Sequence, residues 1–168
     1  GSIGSHIHKL SNAEDTREIK PFRKVKSISH ETTFEKDTND EVFLKKILWS
    51  LCEKVSDRAK EKGLGGSTIN LKIKTKDFKL ISRSVTIEEP TQIAEIIFQT
   101  SKLLLLREIK KNKFRLLGVG LSNLKDSEIC DLYDLINTNS NKEKNIEFAI
   151  DAIRNRYGVN LIKKGRSI

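Results

Sequence analysis

Cysteine is scarce in this chain of 168 residues, which has two, Cys52 in a helical pattern and Cys130 in a polar loop. Their separation excludes a disulfide framework and offers none of the paired spacing of a zinc site, which fits a reducing cytoplasm. Long apolar runs are missing as well. The longest leucine run, Leu103 to Leu106, is flanked by Lys102 and Arg107. It falls far short of the roughly 20 residues that span a bilayer and reads as core. The first residues lack the charged-then-apolar layout of a secretory signal. Histidine is too sparse for a metal centre: His6 and His8 stand two apart, but two ligands in a segment expected to be mobile make a poor site. His30 shares a strand face with Ile28 and Phe34 and is expected to be a satisfied interior side chain. Trp49, beside Leu48 on a helix, reads as partly buried packing.

What the chain has is positive charge, 32 Lys and Arg against 23 Asp and Glu, a net +9. Clustered cations gain free energy by releasing the counterions that phosphates condense, so the balance favours a polyanionic partner; solubility and membrane-surface binding are the weaker readings. The length suits one domain with its own core plus tails.

Periodicity supplies the elements. Ile3, Ile7 and Leu10 make a short amphipathic piece within residues 1–13, either native or an expression scar, and residues 14–24, with Pro21, read as an extended linker. From Lys26 to Phe34 a strand puts Ile28, His30, Thr32 and Phe34 on one side and Ser27, Ser29, Glu31 and Thr33 on the other. A helix follows, with Thr38 and Glu41 at capping-box spacing, Leu44, Ile47, Leu48, Leu51, Val55 and Ala59 along its stripe, and Gly63 to close it. Residues 69–89 read as two strands joined near Lys76 and Asp77. Ile69, Leu71 and Ile73 face inward and Asn70, Lys72 and Lys74 outward. In the second of these strands Arg83 shares the inward parity of Ile81, Val85 and Ile87, which signals a bulge or an edge. Pro90 and Thr91 are expected to start a second helix carried by Ile93, Ile96, Ile97, Leu103 and Leu104. Residues 114–124 form the fourth strand. The order β-α-β-β-α-β gives an α+β two-layer sandwich, a four-stranded sheet with two helices on one face. A last amphipathic helix over 145–158, with Ile146, Ala149, Ile150, Ile153 and Tyr157 as its stripe, lies outside that unit and needs something to dock on.

One sheet face is left bare. It collects Ser27, Ser29, Glu31 and Thr33; Asn70, Lys72 and Lys74; Ser82, Ser84 and Thr86; and Gly118, Gly120 and Ser122. Such a face is either ordinary solvated surface or a seat for phosphates, which hydroxyls, main-chain N–H groups and ammonium groups hold without reading bases. Gly118 and Gly120 favour the second reading, because a strand glycine costs roughly 0.5–1 kcal/mol against alanine and is easier to understand where another backbone approaches.

The segments "KSISHETTF", "SRSVTIEEPT", "RLLGVGLSNL" and "AIDAIRNRYG", in this order, resemble the little-finger domain of the bacterial Y-family DNA polymerases, in particular the DNA polymerase IV group. The resemblance runs from about Ala13 to Gly158. It implies that residues 1–13 end a thumb domain, 14–24 are a linker, 25–125 the little finger, 126–141 a clamp-binding linker and 142–168 a C-terminal helix and tail. It implies a non-catalytic fragment that grips duplex primer-template DNA in an error-prone translesion enzyme and works beside that enzyme's palm and thumb. The palm would hold the metal-binding carboxylates and magnesium, so this stretch needs no cofactor. A monomer in the bacterial cytoplasm, with no membrane contact, is the expected state.

The DNA contacts that the resemblance carries over are Lys26, Ser27 and Ser29 on the first strand, Lys72 and Lys74 on the second, Ser82, Arg83 and Ser84 on the third, and Arg115 and Ser122 on the fourth. Arg115 matches a basic position just before the family's "GV" step. Gly120 departs from relatives with a larger side chain there, so any contact at that point is main-chain. Residues Ile129, Cys130, Asp131, Leu132 and Tyr133 resemble the short peptide by which bacterial polymerases bind the sliding clamp, the beta subunit. They lack its leading glutamine, and Leu132 and Tyr133 would be the apolar anchors. The plain alternative is that Leu132, Tyr133, Leu135 and Ile136 pack on the domain. For the whole chain the rival is a basic protein-interaction module whose sheet face docks another domain. An RNA-recognition fold would need aromatic residues on the open face, and Phe34, Phe78 and Phe114 fall off the outward register.

Overall fold

The computed structural model describes residues 1–18, 24–110, 112–131, 138–158, 161–162 and 164–165, with backbone alone for 138–141. Along the chain come α1 (Ser2–Ser11), β1 (Ser27–Thr38), α2 (Glu41–Glu61), β2 (Leu64–Thr75), β3 (Leu80–Thr91), α3 (Ala94–Ile109), β4 (Phe114–Asp126), a 3-10 turn (Ser127–Ile129) and α4 (Thr138–Tyr157). The expected β-α-β-β-α-β unit is present, an α+β fold. Its strands form one sheet in the order β1-β4-β2-β3, with every neighbouring pair antiparallel. Because β4 opposes both β1 and β2, those two run the same way and α2 is the crossover between them. By the same reasoning α3 crosses from β3 to β4. Crossovers of one hand put both helices on one side of the sheet.

That side is the core. Ile28, Ile69, Leu71, Ile73, Leu117, Val119 and Leu121, every second residue of their strands, are buried against Leu44, Leu48, Leu51, Val55, Ile97 and Leu105 of the two helices. Each such side chain stabilises the fold by roughly 1.5–3 kcal/mol. Trp49, expected to be partly buried, is wholly enclosed and meets Phe98 edge-on at 5.3 Å. His30 has an interior Nδ1, but it finds no hydrogen-bond partner, so the satisfied histidine expected there is not what the fold contains.

Helix boundaries differ from the sequence reading for local reasons. The cap of α2 is Asp40, whose Oδ1 accepts the Val42 and Phe43 N–H groups at 2.9 and 3.2 Å. Thr38 acts one step earlier, accepting the Asp40 N–H at 3.0 Å. An aspartate directly before the first turn outcompetes a threonine farther off, because its oxygen reaches two free N–H groups. Gly63 closes this helix at φ +60°, as expected. Pro90 and Thr91 do not start α3. They finish β3, where Thr91 pairs with Gly66 beyond a register shift, and the helix begins at Ala94. Leu103, placed in the core by its neighbours, is 59% exposed while Leu104 and Leu105 are buried; four consecutive leucines cannot all share one face of a helix.

The largest departure concerns α4. Of its expected apolar stripe only Ile150 turns inward: Ile146, Ile153 and Tyr157 are exposed, and so is Phe148. The helix instead turns Glu147, Ile150, Asp151 and Arg154 toward the domain. The surface it meets mixes Trp49 with Glu53, Ser56 and Lys60 on α2 and an N-terminus of α3 whose own N-cap residue supplies no acceptor, so a stripe rich in polar groups fits it better than a wholly apolar one.

Candidate nucleic-acid interface

Strand registers convert the bare face into rows. Ser29, Gly120, Asn70 and Ser84 form one row across the four strands, and Glu31, Gly118, Lys72 and Ser82 the next. On one flank lies the row Ser27, Ser122, Thr68 and Thr86, and on the other Thr33, Leu116, Lys74 and Leu80. Ser27, Ser29, Lys72, Ser82 and Ser84 are exposed, and Lys74 and Ser122 are half-buried. No described helix covers them. Lys26, also exposed, immediately precedes β1 at the hydroxyl-rich end.

The hydroxyls at that end are organised. Asn70 Nδ2 donates to Ser122 Oγ at 2.9 Å, Asn123 Nδ2 donates to Thr68 Oγ1 at 2.8 Å, and the Thr68 and Thr86 hydroxyls lie 3.0 Å apart. Glu31 is the single carboxylate in the four rows, and Lys72 donates to it at 2.8 Å. The ion pair is exposed on both sides, so it holds Lys72 only loosely.

Two basic residues expected on this face are engaged elsewhere. Arg83 pairs with Leu71 in register, which puts it on the helix side, where its Nε donates to the buried Glu108 of α3 at 3.0 Å. Its inward parity outweighs its charge because an edge strand lets the guanidinium leave past the sheet rim and reach a partner. Arg115 is clamped by Asp37 of β1 through two bonds of 3.0 Å. This bidentate grip holds the Asp37 carboxyl below its ordinary value and the Arg115 guanidinium above its own.

The glycines of β4 have a cause within the sheet. A Cβ on Gly118 would come within 2.9 Å of the Glu31 Cβ, and one on Gly120 within 2.9 Å of the Ser29 Cβ. They let β1 lie close against β4, and the result is a shallow trough floored by Gly118 and Gly120 between Ser29 and Lys72. The close approach inferred from the glycines is thus made first by β1.

The segment after β4 is fastened to the domain. Cys130 is buried with its thiol 3.1 Å from the Asp126 carbonyl. Asp131 is buried too: Oδ2 accepts the Gln92 N–H at 2.9 Å, Oδ1 accepts from the Thr91 hydroxyl, and its own N–H donates to Pro90 O at 3.0 Å. Burial pushes its carboxyl above the ordinary value. Both had been expected within a free partner-binding peptide. They face inward because the end of β3 and the start of α3 offer unpaired polar groups that only a neighbouring segment can satisfy. Ile129 stays exposed, and Leu132, Tyr133, Leu135 and Ile136 lie outside the described residues.

The sequence pattern of the impB/mucB/samB family C-terminal domain matches residues 25–132. The chain belongs to this family. It is 41% identical to the DNA polymerase IV of Brucella melitensis over 98% of its length, and 42% identical to DNA polymerase IV 1 of Mesorhizobium japonicum over the same share. It covers 37% and 38% of those proteins, so it spans under two fifths of the length of either. Its fold is similar to that of a Y-family DNA polymerase chimera, with TM-score 0.56 at 15% identity over 73% of this chain and 35% of the other. It is also similar to the little finger domain of PolIV in a complex with the beta-clamp processivity factor, with TM-score 0.50 at 16% identity over 57% of this chain and 86% of the other.

In this C-terminal domain the reading by strand parity missed one residue, Phe78. It sits in the β2-β3 turn, where parity has no meaning, at φ 61°. Its ring returns toward the open face, with Lys74 Nζ 5.2 Å and the Arg115 guanidinium carbon 4.4 Å from its centroid. Phe34 and Phe114 do lie on the helix side, Phe34 against Phe43 of α2 and Phe114 in the core. The sequence signal for Phe78 was its place between Lys76 and Lys79 in a hairpin turn.

Proposed function

We propose that this chain is the non-catalytic, duplex-gripping part of an error-prone translesion DNA polymerase IV, and that it lays its open sheet face along the sugar-phosphate backbone of primer-template DNA. The observation that carries the reading is an uncovered face of hydroxyls and lysines with one carboxylate among its rows. Ser27, Ser29, Ser82 and Ser84 offer hydroxyls, Lys72 and Lys74 offer ammonium groups, and the trough over Gly118 and Gly120 admits a backbone. Such contacts position a duplex without reading its sequence. Nucleotidyl transfer and its magnesium are assigned to the palm of the longer enzyme, in keeping with the relatives named DNA polymerase IV. Arg83 and Arg115 are left as secondary contacts, since Glu108 and Asp37 hold them.

The second part of the proposal is a tether to the sliding clamp just after β4. The PolIV little finger that shares this fold was solved with a beta clamp, which supports the reading. Cys130 and Asp131 form the fixed root of that tether, and Leu132 and Tyr133, directly beyond, are its anchors.

Fluorescence anisotropy with duplex DNA at several salt concentrations tests the first part. About four phosphate contacts give a log-log slope of roughly −3 to −4, and Lys72→Ala and Lys74→Ala weaken all sequences alike. A flat salt response overturns the grip. For the tether, Leu132→Ala with Tyr133→Ala should abolish binding to an immobilised clamp; undiminished binding removes it.

A further inference from the structure

The open face changes character at the end where β2 turns into β3. Its last row contains Leu116 and Leu80, Leu80 is 55% exposed, and Phe78 beyond it is 59% exposed. Phe78 is not there to make the turn. Its left-handed backbone is disfavoured for a bulky side chain and is normally left to glycine or asparagine. The turn is closed by main-chain bonds, Phe78 N–H to Thr75 O at 2.9 Å and Thr75 N–H to Lys79 O at 3.0 Å, which any residue with an N–H could make.

Two cations, Lys74 and Arg115, lie against the ring, in a stretch of chain rich in lysine. The Lys76 N–H donates to the Lys113 carbonyl at 3.0 Å, and Lys79 follows in the turn. Arg115, Lys113 and Lys76 together hold the Asp37 carboxyl below its ordinary value, so the charges share one neighbourhood. An exposed aromatic ring set among cations is the arrangement that takes an unpaired base with its flanking phosphates. A paired duplex, by contrast, turns only its charged rails outward. The hydroxyl-rich end of the face has no aromatic residue in its rows and suits such rails.

We propose that Phe78 is a stacking platform for an unpaired nucleobase of single-stranded DNA, placed where a duplex lying on the open face gives way to the template strand. The ring takes one face of the base, and Lys74, Lys76 and Lys79 neutralise the phosphates on either side. Arg115, held by Asp37, fixes the ring from behind. The site rests on the duplex-gripping reading and adds to it a direction, with the unpaired strand leaving over the β2-β3 turn.

Anisotropy titrations of the 168-residue chain with three DNA probes decide this. The probes are a blunt duplex, the same duplex with a short deoxyadenosine extension, and one with an abasic extension of equal length. The base-bearing extension should bind roughly five- to tenfold more tightly than the abasic one, as one stacked base implies. Phe78→Ala, and Phe78→Asn with its better tolerance of a left-handed backbone, should bring that ratio to one and leave the blunt duplex bound as before. Phe78→Trp should keep it. A ratio near one in the unaltered chain, or a ratio that survives loss of the ring, overturns the platform while duplex binding stands. Failure to bind the blunt duplex at low salt overturns the platform together with the grip it rests on.

Discussion

Glu147 on α4 caps α3 from outside, its Oε1 accepting the Ala94 N–H at 2.8 Å. The N-cap position of α3 is Ile93, which has no side-chain acceptor, so a carboxylate from elsewhere in the chain fills the role. The same oxygen accepts from Lys60 Nζ at 2.7 Å and lies 3.1 Å from the Ser56 hydroxyl. Glu147→Ala would leave the Ala94 N–H buried without an acceptor and Lys60 with Asp151 as its remaining partner, and a buried donor left unsatisfied costs roughly 1–3 kcal/mol. The expected outcome is release of α4 with the sheet intact. Hydrogen exchange should become fast along α4 and stay slow in β2 and β4.

The same contact makes α4 docking depend on pH. Burial raises the Glu147 carboxyl, but attraction to Lys60 and the hydrogen bonds from Lys60 and Ala94 outweigh it and hold the group below its ordinary 4.5. Its contribution is complete above 4.5 and is lost as pH falls through the lowered value. For Lys60 burial acts downward, yet Glu147 and Asp151 raise it above 10.5, so that contribution is complete below 10.5 and is lost as pH rises through the raised value. Asp131, raised by burial, works against the acid loss in part. Trp49, the single tryptophan, lines the cleft under α4 with Glu147 and Ile150 and serves as reporter. Its emission should hold constant across neutral pH and shift red on either side of that plateau.

Gly118→Ala should destabilise the fold by about 1–3 kcal/mol, the usual cost of forcing a methyl group into packed surroundings. The neighbour that must give way is the Glu31 Cβ on β1, at 2.9 Å. Thermal melting measures the loss, and a wild-type midpoint would mean that β1 moves aside freely.

Glu31→Gln should strengthen binding to duplex DNA. It removes the one carboxylate of the open rows and frees Lys72 from its 2.8 Å partner. A unit charge about 6 Å from a phosphate in water is worth roughly 0.7 kcal/mol, or about threefold in affinity. The gain should fade at high salt, and anisotropy at two ionic strengths shows whether it does.

Both thiols should be slow to alkylate in the folded protein. Burial pushes the Cys52 thiol up to about 12 and raises that of Cys130 as well, and only thiolates react. Iodoacetamide at neutral pH should label neither until denaturant is added; rapid labelling of Cys130 would show that the segment after β4 opens.

Much of this molecule follows from periods in its sequence. Alternation along residues 26–34 and 69–75 and the helical spacing from Leu44 to Ala59 determined the β-α-β-β-α-β order and the membership of each sheet face, because backbone geometry ties a side chain's direction to its position in a strand or helix. Wherever direction is set by a partner distant in sequence, the pattern was silent. Parity turned Arg83 inward but could not name Glu108 as its partner; Arg115 joins Asp37, Asp131 turns in to Thr91 and Gln92, and α4 docks by Glu147 with only Ile150 of its apolar stripe. Phe78 reaches the open face through a turn, outside any period. Each of these is an electrostatic or hydrogen-bonding choice between groups that share no periodic relation, and only the folded chain brings them within reach of one another.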